Sequence, residues 1–584
     1  MLNQSLNKSY PDLQIRNAFV DEEVSEKIKE TYLNHGTESF TFLPEDTSLV
    51  INDLEKTIVI AKKGAFSGAP LYYTVVDNYP YCSFNINDIL AQFPHLKCPE
   101  NKTVIEYLQF RVTLGQVNNG TFYKNIYKLL PGESLIWTKE ESLRFEMSSP
   151  LSLENTLPDE QNHIAALRKT LIDSTKCKIA NKSKIAAYLS GGLDSSALNG
   201  IAQTFSENKI LSFYIDTHTQ AADEYHYASL VSRMHSTDLR KLSFKEDIRL
   251  KHIKQVIEIT GMPESINLTS DIDLKISKEC KSEGIEVILS GLLGDQVIDY
   301  GHTLFSELFR QSQWTELTSV LKSNRYSARD IKKFYITSFI KKIKSNPSIA
   351  EVKNAFKTLR KNLNYQLHEI IAETIRFFFL TVKRRLKNNT ASLDGFLLNG
   401  RLDSEVKFKL HQPELLAKGT PSLTHRRKLN SIYQQIVIQG MEQQYNLFIK
   451  EKIKIAYPFF NKELIEVTLH TKDEWLLKHG TTRSTIREAF KDFYPTEVYQ
   501  RRDKAVFNDY LVTVYKHLYK EFVESLGANY KSHQIWTIVN RTNFEKLSAK
   551  IRNNKIMDNQ KTKVTLSLLR TIYVALWLDY INQK

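Results

Sequence analysis

Between Ser190 and Ser196 the chain reads Ser-Gly-Gly-Leu-Asp-Ser-Ser, directly after the buried-type run Lys184–Leu189 and before helical spacing from Ala197 to Phe205. A strand that hands over to a helix through two glycines turns sharply and lets a ligand approach backbone without a Cβ in the way. The first turn of the helix then offers unpaired N–H groups and the positive end of its dipole, which suit phosphate. Ser190, Ser195 and Ser196 add hydroxyl donors, and Gly191 and Gly192 supply the turn. Asp194 would be repelled by phosphate unless a cation lay between them, so its presence points to Mg2+. The spacing GxxxxGK followed by Ser or Thr is absent, so this is not a Walker A loop.

Such a loop needs a sheet behind it. Ile210–Ile215 and Ile285–Leu289 are further apolar runs of strand length, and Glu224–Met234 has helical spacing between them. Strands alternating with helices imply a doubly wound parallel sheet. Ahead of it, Ser48–Asn52 and Thr57–Ala61 flank Asp53-Leu54-Glu55-Lys56 as a hairpin would, and Leu71–Val76 and Ser134–Trp137 read as strands. Gly64, Gly68 and Pro70 punctuate one turn and Pro131-Gly132 another, while Asn162–Cys177 reads as a helix. Beyond residue 300 the pattern is mainly helical. The expected division is 1–160 and 161–584, with a basic helical insertion at about 320–390.

The composition, 41% hydrophobic and 25% charged over 584 residues, excludes a mainly disordered chain. The net charge of +14 is largely local, because residues 322–361 hold twelve Lys/Arg against Asp330 and Glu351. A patch of that kind is a candidate docking site for an acidic peptide or carrier protein, and nucleic acid is disfavoured. No run approaches 18 apolar residues, so no membrane span is expected. Cys82, Cys98, Cys177 and Cys280 are far apart and lack CxxC spacing, and no signal peptide is visible, so a cytoplasmic location is expected.

The string Ser190–Ser196 resembles the SGGxDS loop of the pyrophosphate-releasing (PP-loop) ATPases, in its asparagine synthetase form. Ser212-Phe213-Tyr214-Ile215 with Asp223-Glu224 is similar to that family's second strand and its acidic continuation. Val287–Asp295 resembles its third signature, with Gln296 in place of the usual acid. Tyr457-Pro458-Phe459-Phe460-Asn461 resembles its PFLD segment, and Arg483–Arg487, Pro495 and Arg501–Phe507 its LR…P…R.K..F pattern. Gly68–Tyr73 and Ile126–Glu133 resemble, more faintly, the GxxPLYY and LPPG segments of the family's glutaminase half. The fold implied is α/β: a degenerate glutaminase-like, Ntn-type αββα domain, then a PP-loop ATPase sheet with a helical extension. A glutaminase of this kind uses a mature first-residue cysteine. The chain begins Met1-Leu2 and its first cysteine is Cys82, so no glutaminase activity is expected and the half reads as a platform.

The resemblance implies ATP and Mg2+, with Asp194 and Asp295 as metal ligands and Lys504 as the cation that stabilises charge on the phosphates and the tetrahedral intermediate. Leu189, Ile215, Ser290 and Gly291 fall on positions whose backbone holds adenosine; Leu189 and Ile215 read equally well as strand-end core. The family's glutamate four residues before the PF segment is replaced by Lys454, which leaves Glu451 and Tyr457 as candidates for handling protons. The activity implied is adenylation of a carboxylate followed by attack of an amine. The first reading is an intramolecular macrolactam cyclase of a peptide natural product, of the lasso-peptide or β-lactam cyclase type. An asparagine synthetase using ammonia and a catalytically inactive or RNA-binding relative are the alternatives.

Overall fold

The computed structural model describes residues 13–19, 22–109, 115–154, 159–219, 223–243, 249–264, 270–345, 357–362, 366, 368, 397–399, 407–478, 480–502, 508–556 and 558–583. The chain forms two compact units, one of Met1–Val297, Leu397–His470 and Ala489–Lys584, the other of Ile298–Phe396 and Thr471–Glu488. The boundary expected at residue 160 therefore falls inside the first unit.

The first unit begins with β1 (Leu13–Asn17), α1 (Glu22–His35), β2 (Leu49–Asp53), β3 (Ile58–Lys62), β4 (Tyr72–Val76), β5 (Tyr79–Ser83), β6 (Tyr127–Lys128), β7 (Glu133–Thr138) and β8 (Ser142–Met147). These make two antiparallel sheets, ordered β1-β2-β3-β7-β8 and β5-β4-β6. Alternate residues of a strand face opposite sides. Val50, Val59, Ala61 and Leu135 accordingly meet Leu71 and Tyr73 between the sheets. Leu49, Ile51, Ile60 and Ile136 meet Ile28 and Tyr32 of α1 on the outer side. The short helix Ile86–Gln92 packs on β4 and β5, so the layers run helix, sheet, sheet, helix.

The same unit continues with α2 (Glu160–Ile179), β9 (Ile185–Tyr188), α3 (Leu193–Phe205), β10 (Leu211–Asp216), α4 (Tyr225–His235), β11 (Asp238–Ser243), α5 (Arg249–Thr260), α6 (Ser270–Glu283), β12 (Val287–Leu289), α7 (Gln435–Lys450), β13 (Lys454–Ala456) and α8 (Asp558–Ile581). The strands form the expected parallel sheet, ordered β11-β10-β9-β12-β13 with every pair parallel. Ile185 and Ala187 pack with Ile179 of α2 and Ala202 of α3 on one face. Tyr188 reaches α6 on the other, where its hydroxyl donates to Asp273. The stretch Gln560–Ile581 of α8 reaches the length and mean hydropathy (1.4) of a membrane span, although no such run was expected. It is 89% buried inside the protein, as a core helix would be. Its Trp577 Nε1 donates to Tyr123 Oη at 3.0 Å, which ties the antiparallel sheets to the helices around the parallel one.

The second unit is helical. Thr303–Arg310, Trp314–Ser323 and Ala328–Ser345 close around Leu304, Phe305, Leu317, Ile331, Tyr335 and Phe339. The expected basic insertion is represented here by the last two helices and the π-helical turn Thr358–Asn362; most of residues 346–396 lie outside the described residues.

Two buried histidines make a prediction about acid stability. Burial holds His163 down to about 4, helped by Lys428 and His470. Burial likewise holds His411 down to about 4, against a hydrogen bond to the Pro131 carbonyl, with Lys128, Lys409 and Lys63 adding to the depression. Unfolded histidine titrates near 6.5, so between pH 6.5 and 4 the unfolded chain binds protons that the folded one does not. Stability therefore falls as pH drops through this window, by at most about 3 kcal/mol per group. Urea melts at pH 7 and pH 4.5 test this; equal midpoints would refute it.

Candidate functional site

The chain leaves β9 toward β10 and β11 on one side, then crosses to β12 and β13 on the other. At such a reversal the loops after the two central strands diverge and leave a crevice at the carboxyl edge of the sheet. The loops concerned are Leu189–Gly192 after β9 and Ser290–Leu293 after β12. Leu189 stays in register, its N–H donating to the Phe213 carbonyl at 2.8 Å, and Ser290 does the same to the Ala456 carbonyl at 2.9 Å. Leu189 is buried and Ile215 half-buried beside it at the end of β10.

The Ser-Gly-Gly turn is built by side chains that fold back on it. Ser190 N–H donates to Ser195 Oγ at 3.2 Å, and Gly192 N–H to Ser190 Oγ at 3.3 Å. Gly191 has φ +78°, and a Cβ there would come within 2.6 Å of Tyr227 Cβ and 2.7 Å of Ala228 N. Only glycine meets both conditions. Gly192 is the N-cap of α3 and contributes no side chain, so the first-turn N–H groups face the crevice without a protein cap. Ser196 Oγ is buried and has no hydrogen-bond partner among the described residues. Asn199 holds the base of the loop: its Nδ2 donates to the carbonyls of Tyr188 (2.9 Å) and Ser195 (2.7 Å), and its Oδ1 accepts from Ser212.

Asp194 reaches across the crevice to the segment that carries Asp295. A Cβ on Gly294 would lie 2.2 Å from Asp194 Cγ, so the Asp194 carboxyl rests on the backbone that carries Asp295. Gly291 is also close, with its ideal Cβ position 3.3 Å from Ser195 N. Among the described residues no group of three or more His, Cys, Asp or Glu could hold a metal ion. A pair of carboxylates beside a phosphate loop nevertheless fits Mg2+, which keeps waters and phosphate oxygens in most of its octahedral positions.

Other expected residues divide. Lys504 lies outside the described residues. Just before it, Arg501 pairs with Glu224 at 2.5 Å and lies 4.1 Å over the Tyr227 ring, which brings the Arg501–Arg502 backbone to the start of α4 at the carboxyl edge. Glu451 is not brought to this edge. It caps the carboxyl end of α7, three residues before β13, and is paired with Lys281 at 2.6 Å. Because β13 is parallel to β12, that is the amino edge, away from the loops. Tyr457 follows β13 at the correct edge but is buried, its hydroxyl donating toward the Gln444 side-chain carbonyl (3.1 Å).

Sequence reasoning missed the acid at this edge. Asp273, in the first turn of α6, accepts from Tyr188 Oη at 2.6 Å and from Gln444 Nε2 at 3.1 Å. Burial pushes its carboxyl up to about 6, against the two hydrogen bonds, and Asp271 adds to the rise. Asp271 is itself paired with Arg249 at 2.7 Å. Tyr188 is half-buried as a residue, while Asp273 and Tyr457 are buried. Only the period-2 placement of Tyr188 opposite Ala187 hinted at a polar group on that face.

Sheet order, crevice and loop together make an open parallel α/β sheet with a candidate site at its carboxyl edge. The asparagine synthase model matches residues 166–579, and the chain belongs to that family. It is 22% identical over 284 residues to the amidase chyE of Penicillium rubens, covering 45% of this chain and 41% of that protein. Against the glutamine-hydrolyzing asparagine synthetase 1 of Bacillus subtilis it is 18% identical over 485 residues, 82% of this chain and 70% of the relative. The chain thus spans less than half the length of the Penicillium relative. A glutamine-dependent NAD+ synthetase from Acinetobacter baumannii, solved with ADP, overlaps 31% of this chain and 33% of its own at a TM-score of 0.18 and 11% identity. So slight an overlap carries no weight.

Proposed function

We propose that the chain is an ATP-dependent, AMP-forming amide ligase, and specifically a cyclase that joins a carboxylate and an amine of one peptide substrate. The observation that carries the ligase reading is the meeting of Asp194 with the Gly294-Asp295 backbone beside a Gly-Gly loop at the helix N-terminus. In this reading the loop N–H groups hold the phosphates, and Asp194 and Asp295 hold Mg2+, which offsets phosphate charge. Lys504 supplies a further cation. The Arg501–Glu224 pair positions the chain that leads to it. The cyclase reading is supported by the loss of the acid before the PF segment and by the added basic helices, which a ligase acting on free ammonia would not need. An asparagine synthetase using ammonia is the second reading, favoured by the long match to the Bacillus enzyme. A cytoplasmic location suits the four free cysteines.

The amine must lose a proton as the amide forms. Tyr188 and Asp273 suit this proton transfer better than Glu451. The Tyr188 hydroxyl takes the proton while passing its own to Asp273 Oδ1, 2.6 Å away. The new C–N bond replaces the acyl–phosphate bond, and AMP leaves. A carboxyl near 6 is ionised at neutral pH yet accepts a proton readily. Asp273→Asn should preserve pyrophosphate release but slow product formation about a hundredfold, and should remove the acid limb near pH 6 from the rate profile. An unchanged profile would exclude the pair. The test of the reaction itself is the product of ATP cleavage: AMP and pyrophosphate support the ligase, and ADP with orthophosphate as the only products would refute it. Aspartate and ammonium converted to asparagine would select the second reading.

A further inference from the structure

We propose that the outer face of the helices Trp314–Ser323 and Ala328–Ser345 docks an acidic peptide segment. Lys322, Arg325, Arg329, Lys333 and Lys341 are exposed there, and none is ion-paired with a described residue. The opposite face of the second helix, Ile331, Tyr335, Ile336 and Phe339, supplies the core of the second unit, so the fold does not require these charges. Five cations without an ion pair to a described residue repel one another, and such a concentration is retained at a cost in stability unless something anionic sits against it.

A groove of about 440 Å³ runs among the charges, lined by Arg325, Tyr326, Asp330, Lys333, Phe334 and Thr337. Its character separates a peptide from a polyphosphate. Asp330 is exposed in the groove and accepts from Ser327 Oγ at 2.5 Å, so its carboxylate presents negative charge and acceptor capacity. A nucleic-acid backbone or an anionic headgroup layer brings phosphates with no donors, which Asp330 repels. A peptide brings backbone N–H donors for Asp330 and Thr337 and side-chain carboxylates for Arg325 and Lys333. Tyr326, 39% exposed, and the half-buried Phe334 offer an apolar seat between them. The proposal deepens the cyclase reading, on which the identity of the peptide as substrate rests; binding itself is measured without turnover.

Fluorescence anisotropy of a labelled glutamate- and leucine-rich peptide on the full chain tests this. Binding is expected at low salt, weakened about tenfold or more near 1 M salt, where the Debye length is only about 3 Å. The same peptide with glutamine for glutamate should bind at least about tenfold more weakly. Reversing Arg325→Glu, Arg329→Glu, Lys333→Glu and Lys341→Glu together should abolish binding, with folding checked by circular dichroism. Because that variant carries a large charge change, the milder Arg325→Gln/Lys333→Gln protein should show an intermediate loss. Asp330→Asn should weaken the peptide and strengthen a single-stranded oligonucleotide. Peptide binding that survives charge reversal, or tighter binding of the wild type to the oligonucleotide or to anionic vesicles than to the peptide, would overturn the proposal. If the peptide binds as expected while ATP yields no AMP, the ligase reading falls and the docking surface stands.

Discussion

Asp194→Ala protein is expected to cleave ATP to AMP and pyrophosphate at least about a thousandfold more slowly than the wild type, while keeping its fold. The size of the effect follows from where the charge lies. Asp194 sits on the first turn of α3, where the helix N-terminus favours negative charge and where the carboxylate and a bound phosphate repel each other unless a cation lies between them. Its carboxyl is wedged against Gly294, the first residue of the short helix Gly294–Ile298 that carries Asp295, so it touches two segments at once. Removing it leaves any metal at the site one carboxylate short and the loop packing loosened. Asp194→Asn, which keeps the shape, should be nearly as inactive, and this separates charge from packing. Gly294→Ala gives an independent check. A Cβ 2.2 Å from Asp194 Cγ must push the carboxyl away, so this variant should lose most activity with every ligand still present. Wild-type rates in Asp194→Asn would remove the carboxylate from the reaction altogether.

The legible part of this site is the part written in short, contiguous signals. The apolar runs behind β9, β10 and β12, and the glycines and aspartates that follow two of them, sit next to one another in sequence and need no tertiary information. β11 escapes such a reading because Asp238–Ser243 is a polar edge strand in which only Leu242 is fully buried, with little apolar pattern. β13 is three residues long, too short for periodicity to register. Glu451 stands out by its distance from Pro458, and that count cannot say on which edge of a parallel sheet a residue emerges. Asp273 is invisible for the opposite reason: its hydrogen-bond partners Tyr188 and Gln444 lie on other elements, 85 and 171 residues away. Across the expected division at residue 160, Gly68 on the antiparallel side packs so tightly on Tyr457 that an added Cβ would come 2.6 Å from its ring. A contact between elements so far apart in sequence leaves no local signal to read.

That junction also holds the second large effect. Glu442 of α7 is almost fully buried between two buried lysines, with Lys128 Nζ 3.1 Å from one carboxylate oxygen and Lys63 Nζ 3.9 Å from the other. Lys63 comes from just after β3 and Lys128 from β6, so one carboxylate neutralises cations from both antiparallel sheets against a helix of the parallel one. A buried pair is weak evidence for net stability, but removal of one member leaves charge buried and unpaired. Glu442→Ala should therefore destabilise the first unit by about 3–5 kcal/mol, and Glu442→Gln by less, since the amide oxygen still accepts a hydrogen bond. The pH dependence discriminates the electrostatic cause from a simple cavity. Burial holds Lys63 down to about 8, against the attraction of Glu442 and with Lys128 adding to the depression. Unfolded lysine titrates near 10.4, so from pH 8 upward the folded state has shed a proton that the unfolded state still binds, and stability from this group rises with pH. Above that range Lys63 needs no partner. The deficit of Glu442→Ala should then be largest near pH 7 and shrink toward pH 10, where only Lys128 is left unpaired. Urea titrations of wild type and variant at the two pH values measure it, and a deficit independent of pH would assign the loss to packing instead of charge.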